Sequence, residues 1–161
     1  MKRIGFTLFL TLTLLFTSPA LLGQCQAVGG VLMTNIGAIN GNGGPPTNLG
    51  PVYGDLQGSV AATILGQDAN GNFRIQPYWV NSAGETILFG VAVLKPVATS
   101  DPNVVAVLWG NYPAAIVGGT GKYKNAKGNL DHFGTADFAQ NTLVLRYRGT
   151  VCLRPPSGSG Q

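Results

Sequence analysis

Few residues in this chain can do chemistry, and they are dispersed. His132 is the only histidine in 161 residues. On any strand its neighbour Asp131 points the other way, because successive side chains alternate sides. One histidine cannot build a His-cluster metal centre, and no Gly-x-Ser-x-Gly elbow supplies a nucleophile for it to activate. General-base work and plain hydrogen bonding both stay open for it. Asp68-Ala69-Asn70-Gly71-Asn72 starts like a calcium loop. It puts Gly at the fourth position instead of the sixth, however, and Trp79 where the bidentate Glu belongs. That stretch reads as a hairpin turn.

Two further groups are candidates for holding a ligand. Arg146 and Arg148 share one strand face; facing an interior they would grip a ligand carboxylate, and facing outward they are merely solvated. Tyr78, Trp79, Trp109 and Tyr112 are the aromatics expected to line a cavity, with core filling as the alternative. Neither a metal nor a cofactor is expected from this inventory. The most distinctive run is Val117-Gly118-Gly119-Thr120-Gly121-Lys122-Tyr123-Lys124-Asn125-Ala126-Lys127-Gly128. A phosphate-binding P-loop would need Gly at position 116 and Ser or Thr at 123, where Ile116 and Tyr123 stand. A dinucleotide fingerprint would need Gly at 124, where Lys124 stands. Both phosphate motifs fail.

The frame that must position these residues is a small exported β-domain. Lys2 and Arg3 precede the apolar run Ile4–Phe16, and Thr17-Ser18-Pro19-Ala20 follows with small residues, in the order of a secretory signal peptide. The run is too short to span a bilayer. Residues 1–23 are therefore expected to be removed, by cleavage after Ala20 or after Gly23, leaving no stable membrane anchor. A lipoprotein reading at Cys25 meets Gln24 where a small residue is required. The remaining residues 24–153 form one domain of ordinary size, with 154–161 expected as a disordered tail. Past the leader, eight Lys and Arg face six Asp and Glu, too small an excess for a nucleic-acid binder. Cys25 and Cys152 are the only cysteines. In an oxidising compartment they read as one bridge joining the ends of the domain, and otherwise as two buried thiols.

With 24 glycines and no sustained 3.6-residue apolar period, the mature chain reads as all-β. Strands are expected near 28–36, 58–65, 72–80, 86–94, 104–111, 114–117, 128–138 and 142–152, with 40–46 as a loop. Asn70-Gly71, Asn81–Gly84 and Ala139–Asn141 supply turns. About eight antiparallel strands avoid open edges by closing into a barrel, whose interior holds packed side chains or one small ligand. The clustered glycines at 118–121 then read as a bend between two strands, covered by Tyr123.

The block Gly118, Gly119, Thr120, Gly121, Tyr123, Ala126 and Gly128 resembles the Gly-Gly-Thr-Gly-aromatic-x-x-Ala-x-Gly signature of the dirigent and allene-oxide-cyclase-like barrel proteins. Gly54–Ser59, Glu85–Ile87 and Leu145–Cys152 resemble other parts of that pattern, although only the glycine block is sharply specific. The resemblance implies an allene-oxide-cyclase-like barrel that binds or guides a small apolar or phenolic ligand in its lumen, without a cofactor. The family's acidic and cysteine functional positions find no unambiguous match here. Lumenal binding predicts a cavity of at least about 300 Å³. A structural or interaction module, including a homo-oligomer, predicts instead a filled lumen and an exposed apolar patch.

Overall fold

The structure, a computed structural model, describes residues 24–37, 44–108 and 113–153. The expected leader (1–23), the expected tail (154–161) and most of the expected loop at 40–46 lie outside the described residues.

Ten strands follow in chain order: β1 Gln24–Asn35, β2 Thr47–Gly54, β3 Gly58–Gln67, β4 Phe73–Val80, β5 Thr86–Phe89, β6 Ala92–Ala98, β7 Val104–Leu108, β8 Ala114–Gly119, β9 Lys127–Asp137 and β10 Thr142–Leu153. A 3₁₀ turn, η1 Gly121–Tyr123, sits between β8 and β9. All pairings are antiparallel, and β10 pairs with both β1 and β9, so the sheet closes on itself. The ten strands make eight staves. β4 pairs with β5 through Tyr78–Val80 and with β6 through Phe73–Ile75, so β5 and β6 are one stave broken at Gly90-Val91. β9 likewise pairs with β7 and β8 along its length, so these two are a second divided stave. The result is the expected closed eight-stave barrel, wound as a simple meander.

The expected count of eight nevertheless came from two offsetting errors. The expected strands at 104–111 and 114–117 fall, in their described parts Val104–Leu108 and Ala114–Val117, on successive halves of one stave. β2 was missed because Gly50-Pro51 reads as a breaker. Proline lacks an N–H and is tolerated where a ladder stops. The β1–β2 ladder does stop at Leu32–Val52, beside Pro51, and Asn35 Oδ1 then accepts the Leu49 N–H at 2.7 Å in its place. Where the β5–β6 stave breaks, a side chain again mends the ladder: Gln76 Nε2 donates to the Phe89 carbonyl.

Cys25 and Cys152 lie directly opposite one another on β1 and β10 and are joined as a disulfide across a sequence separation of 127. The bridge fastens the seam that closes the barrel. The Asp68 turn is also purely structural, since its carboxylate accepts the Asn70 and Asn72 N–H groups and the Asn72 amide. These bonds, the Asn72 side chain's first, hold Asp68 below the usual carboxylate range.

Candidate functional site

Alternation along the staves sends one row of each strand inward. On β10 that row is Leu143, Leu145, Tyr147 and Val151; on β9 it includes Leu130, His132 and Ala136. The two ends of the lumen are treated differently. At the end carrying the disulfide the lumen is filled. Tyr147 is 2% exposed, donates from its hydroxyl to the Tyr53 carbonyl at 3.1 Å and accepts the Leu56 N–H at 3.0 Å. Burial pushes its phenol above its ordinary range. Trp79 packs edge-on against Tyr147 at 5.0 Å and, tilted, against Phe89 at 5.5 Å. Burying side chains of this size stabilises by about 1.5–3 kcal/mol each.

The glycine block forms the cap of that filled end. Gly121 adopts φ 55°, a left-handed value that an L-residue reaches only at a cost, and it opens η1. The turn carries Tyr123 and Ala126 into the core. The cap is tied to the β4–β5 hairpin: Thr120 Oγ1 accepts the Thr86 N–H at 2.8 Å, and Glu85 Oε1 accepts the Lys122 N–H at 3.0 Å. The Lys122 backbone bond first, then the Asn81 side chain, hold the Glu85 carboxyl below its ordinary value.

At the opposite end the lumen opens into a cavity of about 90 Å³ among Ile36, Ile64, Phe73, Pro96, Val105 and Phe138. A deeper pocket of about 30 Å³ continues from it, sharing Asn48, Ile75, Leu94 and Leu143. Among the described residues, no Lys, Arg, Asp or Glu lines either space. The deeper pocket does have a polar side, built from Thr34 on β1, Trp79 on β4 and His132 on β9. Thr34 and Trp79 are 6% and 4% exposed, and Thr34 Oγ1 and Trp79 Nε1 have no hydrogen-bond partner among the described residues. His132 meets the Trp79 ring edge-on at 6.2 Å. His132 is half-buried and lines the deeper pocket. Burial pushes its pKa down from 6.5 to about 4, so the ring is neutral at physiological pH. Asn48 is fixed at the neck, its Oδ1 accepting the Gly37 N–H at 2.6 Å.

Of the residues expected from sequence to hold a ligand, Trp79 is in the lumen. Tyr78 is not. It precedes Trp79 on β4, so the two must face opposite sides, and Tyr78 is 46% exposed on the outer wall. Arg146 and Arg148 are also outside, on the face of β10 opposite Leu145 and Tyr147, and do not line the lumen. Trp109 and Tyr112 lie outside the described residues. The expected cavity of about 300 Å³ is corrected downward, because Tyr147, Trp79, Tyr123 and Leu130 occupy the other half of the barrel. Thr34 and Asn48 were missed. Their signal was parity: both fall on the inward rows of strands whose other inward residues are apolar. Among the described residues, no three His, Cys, Asp or Glu side chains gather closely enough to hold a metal ion.

No protein-family profile and no curated protein sequence matches the chain. Among solved structures it is similar to a pterocarpan synthase dirigent protein, at 18% identity over 88% of this chain and 98% of that one, with a TM-score of 0.31. The geometry of the lumen therefore carries the functional conclusion.

Proposed function

We propose that this protein is an exported barrel that binds a small apolar molecule, or the slender end of a larger one, through the open end of its lumen. The observation that carries this is the end-open, charge-free cavity of about 90 Å³ leading to a pocket with buried unpartnered polar groups. A concave apolar space with a few convergent polar groups is the usual form of a ligand site. The resemblance of the Gly118–Gly128 block to dirigent and allene-oxide-cyclase-like barrels points the same way. The size limits the ligand: an engineered apolar cavity of about 150 Å³ takes benzene, so this one admits a short chain, or a single ring whose far edge projects from the mouth. The formed disulfide suits an oxidising compartment, in keeping with removal of residues 1–23 on export. The mass of the mature secreted chain tests that directly.

The binding test is Ala136→Leu. Ala136 lines the outer cavity and is buried, and the larger side chain adds three carbons to the space a ligand would use. With α-methylstyrene as probe, ligand-observed NMR is expected to show binding to the native chain and none to the variant. Equal, detectable signals from both would refute lumenal binding.

A second reading has its own observation. Met33, Leu49, Tyr53, Tyr78, Val80 and Val144 are exposed apolar residues on the outer faces of β10 and β1 to β4. The registers Met33–Val144, Val31–Tyr53, Leu49–Ala61 and Ala61–Tyr78 make them one patch. Such a patch supports a surface for a second copy of the chain. Sedimentation velocity over a hundredfold concentration range tests it; a monomer throughout would remove this reading.

A further inference from the structure

The deeper pocket narrows the class of ligand. It has room for about one water molecule or one oxygen-sized group, at about 30 Å³. Beside Asn48, whose Oδ1 already accepts the Gly37 N–H, three further polar side chains meet there. The Trp79 indole can only donate; the Thr34 hydroxyl donates or accepts; neutral His132 offers one donor and one acceptor. Two of the three leave a buried atom without a partner, Trp79 Nε1 and Thr34 Oγ1. Leaving a buried polar atom without a partner forfeits its hydration with nothing in return, and native proteins rarely carry two such atoms in one place without a reason.

Charge excludes one obvious candidate. A carboxylate at this depth would be stripped of water with no cation to meet it, since no Lys or Arg among the described residues lines either space. An ammonium or guanidinium would lack a carboxylate for the same reason. A pure hydrocarbon would fit the outer cavity yet leave the Trp79 donor unsatisfied. What remains is a neutral oxygen acceptor on an apolar body.

We infer that the lumen is built for an uncharged carbonyl compound, its oxygen accepting from Trp79 Nε1 and Thr34 Oγ1 in the deeper pocket and its apolar ring or chain filling the outer cavity. This rests on the lumenal-binding reading above and adds the identity of the head group. His132, on the same pocket, supplies a third polar group without bringing in charge.

The test compares three probes of near-equal shape on the full mature chain: acetophenone, α-methylstyrene (the carbonyl oxygen replaced by a methylene) and benzoate. Dissociation constants are read by NMR titration while the Trp79 indole N–H resonance is followed, assigned by its loss in Trp79→Phe. Acetophenone is expected to bind about 2–10-fold tighter than α-methylstyrene per hydrogen bond made, to move the Trp79 indole resonance, and to outcompete benzoate. Thr34→Val keeps the shape and removes the hydroxyl; it should erase much of the preference for acetophenone while leaving α-methylstyrene binding unchanged or improved. If acetophenone and α-methylstyrene bind equally, or the indole resonance stays still, the carbonyl assignment is wrong while lumenal binding stands; a water kept in the deeper pocket would give that result. Tighter binding of benzoate would also overturn the assignment. Binding of none of the three would remove both.

Discussion

Acidification should weaken this fold in a window that a single side chain controls. His132 is the only histidine, and burial lowers its pKa from 6.5 to about 4. An unfolded chain takes up the His132 proton near pH 6.5, whereas the folded chain resists until about pH 4. Between those values the unfolded state holds more protons, so stability falls as pH falls. The loss begins near 6.5 and levels off below 4. With those two values, moving from pH 7.5 to 5.0 costs about 2 kcal/mol. For a domain of this size that lowers the melting midpoint by roughly 5–10 °C. Asp68 and Glu85, whose carboxyls are held low, act in the same direction but mostly below pH 5, as they protonate. Urea unfolding followed by tryptophan fluorescence at both pH values, on the native chain and on His132→Gln, isolates the histidine. The variant is expected to lose most of the dependence between pH 7.5 and 5.0, whatever its absolute stability. A direct NMR titration of the imidazole should place its midpoint well below 6. An identical pH dependence in both proteins, or a midpoint near 6.5, would refute the claim that His132 is enclosed.

Other perturbations follow from the same geometry. Replacing Cys25 and Cys152 by serine should lower stability by up to about 4–5 kcal/mol, because the bridge closes nearly the whole domain into one loop; thermal melts with and without reductant on the native chain should reproduce the difference. Gly119→Ala would bring its new Cβ to 2.0 Å from the Thr86 carbonyl and 2.8 Å from Tyr123 Cβ, so its cost should exceed about 2 kcal/mol. Gly71→Ala, with nothing within 4 Å but φ 79°, should cost only about 1 kcal/mol in the same denaturant series. Arg146→Ala should leave the affinity for acetophenone within about twofold in the NMR titration, since the side chain is on the outer wall; a larger loss would put Arg146 back among the ligand contacts.

The barrel class was legible because it depends on composition and period: strands without helical periodicity, turn residues between them, and the edge problem that closure solves. The disulfide was legible because two cysteines in a chain read as exported leave one pairing. β2 was not, since Gly50-Pro51 is a local breaker whose toleration depends on where the β1 ladder happens to stop. The division of two staves was not legible either, because strand halves that belong together can only be joined through their common neighbours β4 and β9. At the site, alternation alone was enough to separate Tyr78 from Trp79. Whether the Leu145 row or the Arg146 row of β10 faces inward needed more, but the apolar row was the better choice by burial. The polar pocket was hidden for a different reason. Thr34, Trp79 and His132 come from staves far apart in sequence, and only closure of the sheet brings them together.

The uneven treatment of the two ends implies an uneven stability, which can be measured. At the disulfide end the seam is covalent, and buried side chains hold the strands: the Leu56 N–H ends on the Tyr147 hydroxyl, and that hydroxyl ends on the Tyr53 carbonyl. At the open end the β1–β2 ladder gives out at Leu32–Val52, and single side chains hold the strand ends. Asn35 takes the Leu49 N–H, Asn48 takes the Gly37 N–H, and Asn141 takes the Ile36 N–H at 3.3 Å. Few packed apolar groups stand behind those bonds, because the cavity lies there. Each can break without disturbing the far end. Native-state hydrogen exchange should therefore show the Ile36, Gly37 and Leu49 amides opening locally, at free energies well below global unfolding, while the Leu56 amide exchanges only with the whole molecule. An acetophenone-saturated sample should slow the first group and leave Leu56 unchanged relative to the global value, because a ligand seated in the cavity supplies the missing packing. Equal protection at both ends, or protection by ligand at the disulfide end alone, would mean that the open end is not where the barrel yields to admit a guest.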